Sequence, residues 1–279
     1  MPKLFATMAF AGAVAAFTCI AFTPPVRGGT LIGVEGNTGK LYRISPFDAK
    51  VTYLADTGID RLDALESGPD GFLYGFGETL PNPLYRIDPV TLAPTFVAFL
   101  DHTSFEGGIA FAPDGRVYAT NGDSAFPPEL MRLDLSNGHV TVVGVMAAQG
   151  DVNGLMWRGD GKLVGIDRVS NSLVQINPNT AAMSVVAPLT PLLGAGGGMA
   201  VLDGTVYFTT AGPGAGIPGS NELWTVDPFT GAHQRVGSFS PTLSGWGITG
   251  LATIVPEPGS AVLLGAAGAG LALCRRRRR

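Results

Sequence analysis

One six-residue phrase returns five times along this chain: Leu41-Tyr-Arg-Ile-Ser-Pro46, Leu84-Tyr-Arg-Ile-Asp-Pro89, Leu130-Met-Arg-Leu-Asp-Leu135, Leu173-Val-Gln-Ile-Asn-Pro178 and Leu223-Trp-Thr-Val-Asp-Pro228. The intervals are 43, 46, 43 and 50 residues. Recurrence at such a period marks a supersecondary unit that cannot bury its apolar faces alone and must stack on its neighbours. A second phrase alternates with the first: Pro69-Asp-Gly-Phe-Leu-Tyr74, Pro113-Asp-Gly-Arg-Val-Tyr118, Gly159-Asp-Gly-Lys-Leu-Val164 and Leu202-Asp-Gly-Thr-Val-Tyr207. Asp-Gly between alternating apolar residues predicts a tight hairpin of type I′, in which both central residues need positive φ. With 40 Gly and 21 Pro in 279 residues, a long helical bundle is excluded, because Gly costs about 1 kcal/mol per helical site relative to Ala.

Each unit reads as four strands. In the third, the strands are predicted at Gly107–Ala112, Arg116–Thr120, Glu129–Asp134 and His139–Val145, with turn chemistry between the last two at Asp134-Leu-Ser-Asn-Gly138. Four strands per repeat of this length predict an all-β, five-bladed β-propeller. The body opens at Thr30 on a second strand and closes at Ile248–Ile254 on a first strand. Strand 248–254 is therefore expected to complete the blade of residues 30–58 and hide the open edges of the array. The cadence of both phrases resembles the NHL/YncE-like propellers, a resemblance that spans the whole body but rests on structural motifs.

The two ends differ from the body. Residues 1–21 carry one Lys, no acid and an apolar run from Leu4 to Ala21, as in a secretory signal helix, with cleavage expected after Ala21. At the other end, Pro256-Glu257-Pro258 precedes an apolar stretch from Ser260 to Cys274 and then Arg275, Arg276, Arg277, Arg278 and Arg279. As a helix, 15 residues reach roughly 22 Å, so a transmembrane segment there is short and is retained by its basic tail. These three elements in this order resemble the PEP-CTERM sorting signal. The resemblance implies processing by an exosortase after transient anchoring in the inner membrane, in a Gram-negative bacterium that makes exopolysaccharide. It implies delivery through the secretion machinery to the outer surface or the extracellular space, where biofilm components are the neighbours. The expected organisation is a signal peptide over 1–21, a propeller body over 22–254 and a sorting signal over 255–279.

Cys19 and Cys274 are the only cysteines, so the body must be held by its core rather than by disulfides. Removing Lys3, the five terminal arginines and Glu257 leaves 12 basic and 21 acidic residues, so the body lies near −9 although the whole chain is −4. Nucleic acid is a poor partner for such a surface. His102, His139 and His233 are far apart, no zinc spacing occurs, and neither a Gly-x-Ser-x-Gly elbow nor a phosphate loop is found. No cofactor is predicted, although acids around a mouth could hold Ca²⁺.

The repeated Asp and Gly residues belong to turns, and a site is sought instead in the long, variable links on one face. There lie Asp60, Asp63, Glu78, Asp101, Glu106, Asp123, Glu129, Asp151, Asp167 and Glu222, with Trp246 and Phe126 as surfaces on which a sugar can stack. Asp63, Glu106, Asp151 and Trp246 are the selected mouth residues; no catalytic or metal-binding set is assigned. The favoured expectation is a non-enzymatic surface or matrix scaffold that binds a glycan or another envelope component. The alternatives are a glycosidase or lactonase using the acidic mouth, and a metal-dependent structural module.

Overall fold

The computed structural model describes residues 29–103, 107–121, 127–146, 150–190, 195–212, 221–243 and 246–255. The predicted signal segment, the Pro256-Glu257-Pro258 motif, the apolar stretch after it and the arginine tail lie outside the described residues, as do Glu106, Asp123 and Phe126. Among the described residues no helix is long and apolar enough to cross a membrane.

Among the described residues, twenty strands form five four-stranded antiparallel sheets. Blade 2 is β4 (Glu66–Ser67), β5 (Leu73–Phe76), β6 (Pro83–Ile87) and β7 (Pro94–Phe99). Blade 3 is β8 (Ile109–Phe111), β9 (Val117–Thr120), β10 (Glu129–Leu133) and β11 (Val140–Val145). Blade 4 is β12 (Val152–Arg158), β13 (Lys162–Asp167), β14 (Ser172–Ile176) and β15 (Met183–Pro188), and blade 5 is β16 (Ala195–Leu202), β17 (Thr205–Ala211), β18 (Glu222–Val226) and β19 (His233–Ser238). Blade 1 is composite. Its innermost strand is β20 (Ile248–Ile254), paired antiparallel with β1 (Thr30–Glu35), which is followed by β2 (Lys40–Ile44) and β3 (Val51–Asp56). The five-bladed architecture and the composite closure expected from the repeats are both present.

Apolar side chains divide into five clusters, one in each seam between neighbouring blades. Leu31, Ile44 and Leu251 of blade 1 meet Leu202 and Leu223 of blade 5, and Ile32 and Val34 meet Leu62, Leu65 and Leu73 of blade 2. Each blade thus buries both faces only against its two neighbours, which is why the ring must close. Around the axis, the inner strands approach at a ring of small residues: Ala64, Gly108, Gly154, Gly198 and Gly250. A Cβ on Gly198 would lie 2.0 Å from the Leu251 amide nitrogen and one on Gly250 2.6 Å from the Asp63 carbonyl. These are backbone contacts that no rotamer change relieves.

The leucine that opens each repeated phrase has the same task in every blade. Leu41, Leu84, Leu130, Leu173 and Leu223 are fully buried. A register shift follows each of them in its pairing with the outermost strand. A bulge at this point twists the exposed edge and blunts it as a template for further pairing. The turn after the phrase holds a left-handed residue at one fixed position: Ala49, Leu92, Gly138, Ala181 and Gly231, with φ between +57° and +78°. Asp88 Oδ1 and Asp227 Oδ1 accept the amides two and three residues on, which accounts for the recurring Asp-Pro.

The Asp-Gly hairpins depart from expectation in three of four blades. Asp203 and Gly204 both have positive φ, as a type I′ turn requires. At Asp70-Gly71, Asp114-Gly115 and Asp160-Gly161 only the glycine does. Gly71, Gly115 and Gly161 instead donate to the carbonyls of Gly68, Ala112 and Arg158, closing a type I turn followed by a left-handed glycine. A hairpin one residue longer leaves Asp in the ordinary right-handed region.

Candidate functional site

The links from second to third strands and from blade to blade emerge on the same face, and backbone hydrogen bonds latch four of the second-to-third links to the lead-ins of blades 1, 2 and 4. Gly36 N–H donates to Gly247, Glu78 to Arg61, Arg168 to Asp151 and Gly212 to Trp246. The latches gather a small pocket over the end of the axis, with Asp63, Asn153 and Thr249 contributed by the inner strands or their lead-ins. Asn37, Arg61, Glu78, Arg168 and Trp246 stand around them. Asp63, Asn153 and Thr249 occupy one register position, each just before the small axial residue. Blades 3 and 5 place Gly107 and Gly197 there, so polar side chains come from three of the five blades.

The pocket is compact, with a cavity volume of about 40 Å³, room for one or two waters or one ligand hydroxyl rather than a whole ring. Its floor contains two unused acceptors. Asn153 is 7% exposed, and among the described residues neither its Oδ1 nor the buried Thr249 Oγ1 has a hydrogen-bond partner. Buried polar atoms are ordinarily paired, so orphans facing one cavity mark a place where a ligand or water completes the bonding. Asp63, 6% exposed, adds a carboxylate, and Trp246 on the rim offers a flat apolar surface.

Of the predicted mouth residues, Asp63 and Trp246 are brought into the same pocket. Asp151 is one step behind it: its Oδ2 accepts from Arg168 Nε at 2.6 Å, and Arg168 forms the wall. Glu78 lines the pocket in an ion pair with Arg61. Glu129 is bonded to His102 Nε2 at 2.8 Å, and Glu222 accepts from Arg235 Nε at 2.7 Å and from Trp224 Nε1 at 3.0 Å. Asp101 lies away from the mouth, on the outer rim. It accepts the Val140 N–H and a 2.6 Å bond with His139 Nδ1 of the next blade, and these bonds hold its carboxyl below the usual range. Glu78 and Asp151 are thus engaged by guanidinium groups rather than standing as an acid/base pair. Among the described residues no group of three or more His, Cys, Asp or Glu could hold a metal ion.

Reading the acids alone misses Asn153, Thr249, Arg61 and Arg168. A usable signal lies in the repeat itself. Where the first strands align, the residue before the small axial residue varies as Asp, Gly, Asn, Gly and Thr, so the polar side chains at this repeated position are not demanded by the repeat.

No protein-family model matches the sequence, and no curated protein matches it significantly. Solved structures share its architecture. A chain of a nidogen/laminin complex aligns over 82% of this chain and 99% of its own length, at 14% identity and a TM-score of 0.52. A Bacteroides thetaiotaomicron protein of unknown function aligns over 80% of this chain at 16% identity and a TM-score of 0.53, and the alignment spans 61% of that longer protein. Likeness at this identity shows the propeller fold alone.

Proposed function

We propose that the propeller is a non-enzymatic scaffold whose mouth pocket binds a glycan of the cell envelope or extracellular matrix. The observation that carries this reading is the pair of orphaned acceptors, Asn153 Oδ1 and Thr249 Oγ1, on the floor of a pocket that also holds Asp63 and Trp246. A pyranose presents hydroxyl donors on its edge and C–H groups on its face. The acceptors receive the edge, the guanidinium groups of Arg61 and Arg168 supply donors, and Trp246 covers the face. The small cavity suits a single sugar edge entering from an extended chain. Co-sedimentation of the protein with purified exopolysaccharide tests this: Trp246→Ala is expected to release most of the bound protein, and retention equal to wild type contradicts the reading.

We further propose that the chain is exported, anchored transiently in the inner membrane and processed by an exosortase at its C-terminal signal. The support is the order of Pro256-Glu257-Pro258, apolar stretch and Arg275–Arg279. Mass spectrometry of the extracellular protein is expected to show a product lacking the arginine tail. Secreted protein that retains the tail contradicts it.

A further inference from the structure

Register places one residue of every innermost strand in an equivalent position opposite the second strand. Glu66 pairs with Tyr74, Ala110 with Tyr118, Met156 with Val164, Ala200 with Tyr207 and Ala252 with Ile32. Four of these residues are apolar and three are alanine. The fold therefore accepts a methyl group here, while a secluded carboxyl costs stability unless a partner offsets it. Glu66 Oε1 accepts the Ser67 N–H at 2.8 Å, and among the described residues no cation stands beside it.

Glu66 opens on a cleft of about 280 Å³ at the end of the axis opposite the mouth pocket, shared with Phe111, Met156, Trp157, Thr253 and Val255. Among the described residues no other acid or base lines it. On the packed elements, Tyr74 of β5 bonds Asp70 at 2.9 Å, and Tyr207 lies on β17. Arg158, next to Trp157 on β12, is committed to Asp160, Gln175 and the Pro228 carbonyl. β8 and β20 carry no titratable side chain.

We propose that this cleft is a second binding site, for a primary ammonium group carried on a compact apolar body, with Glu66 as its counter-ion and Trp157 and Phe111 as its walls. Aromatic faces attract cations, and a carboxylate–ammonium bond gains strength where water is scarce. Burial pushes the Glu66 carboxyl up to about 8, so at neutral pH the cleft holds the protonated acid. Entry of an ammonium then expels that proton to solvent, and the neutral carboxyl and cation become an ion pair plus one free proton.

The test is calorimetric titration of the full chain with phenethylammonium chloride and, in parallel, with uncharged 2-phenylethanol, at about pH 6.5 in buffers of different ionisation enthalpy. The expected result is ammonium binding at least about tenfold tighter than that of the alcohol, with release of close to one proton. Glu66→Gln and Glu66→Ala are expected to abolish the preference and the proton release, while alcohol binding persists. Equal binding of the two ligands, absence of proton release, an undiminished preference in the variants, or no binding at millimolar ammonium overturns the proposal. Should either variant unfold, the wild-type ligand comparison and proton count still decide.

Discussion

Gly33 and Leu251 lie opposite one another across an antiparallel ladder, although they stand near opposite ends of the body. The ring is thus closed by hydrogen bonds and packing alone, with Ser67 Oγ of blade 2 donating to the Thr253 carbonyl at 2.5 Å and accepting the Thr253 N–H at 3.1 Å. Gly250 sits where this closing strand crosses the lead-in of blade 2, its absent Cβ 2.6 Å from both the Asp63 carbonyl and the Leu65 amide. Gly250→Ala is expected to lower stability by about 1–3 kcal/mol, as overpacking does. Urea unfolding measures it, and a loss below half a kilocalorie would show that the closure is looser than described.

The two kinds of turn glycine are expected to behave differently. Gly115, φ +86°, has nothing within 4 Å of its would-be Cβ, whereas Gly138, φ +78°, would place one 2.2 Å from the Phe99 carbonyl. Gly115→Ala should therefore cost about 1–2 kcal/mol, the left-handed penalty alone. Gly138→Ala should cost clearly more, because it also drives the turn away from the neighbouring blade. Parallel denaturation curves decide, and equal losses would contradict the interblade contact.

How much of this was legible in the sequence follows from what repeats. Leu41 and its four counterparts, the Asp-Gly hairpins and the first-strand match of Ile248–Ile254 recur because the backbone demands them, so blade number and closure could be read directly. Hairpin length could not, since Asp203-Gly204 and Asp114-Gly115 look alike yet turn differently according to the residue count between their paired strands. The candidate pocket is only partly legible in the sequence. Asp63 and Trp246 stand out in sequence as non-repeating residues of the long links and line the candidate pocket, but Asn153 and Thr249 are short neutral side chains that stand out only by lacking partners among the described residues. Asp101 resembles the mouth acids in sequence but is tied at the rim to His139 and the Val140 amide of the next blade.

Glu66 makes stability depend on pH in an uncommon direction for an acid. Its folded value, about 8, lies above its ordinary value of 4.5, so the folded state binds the proton more tightly. The favourable contribution is complete below about pH 4.5 and is lost as pH rises towards 8. Between pH 5 and 8 the decline is expected to be on the order of 2 kcal/mol, reduced from the full shift because part of the side chain meets water. Melting curves of Glu66→Gln should be flatter over that range than those of wild type. Identical slopes would remove Glu66 as the source.

The mouth pocket is tested most directly by titrating exopolysaccharide-derived oligosaccharide into wild type, Asn153→Ala and, as a rim control, Asp101→Asn. One lost hydrogen bond to a buried acceptor corresponds to about 1–1.5 kcal/mol. Asn153→Ala is therefore predicted to weaken binding roughly five- to tenfold, while Asp101→Asn leaves it unchanged. Equal affinity of wild type and Asn153→Ala, or no binding by wild type, would contradict the assignment of the axial pocket as the glycan site.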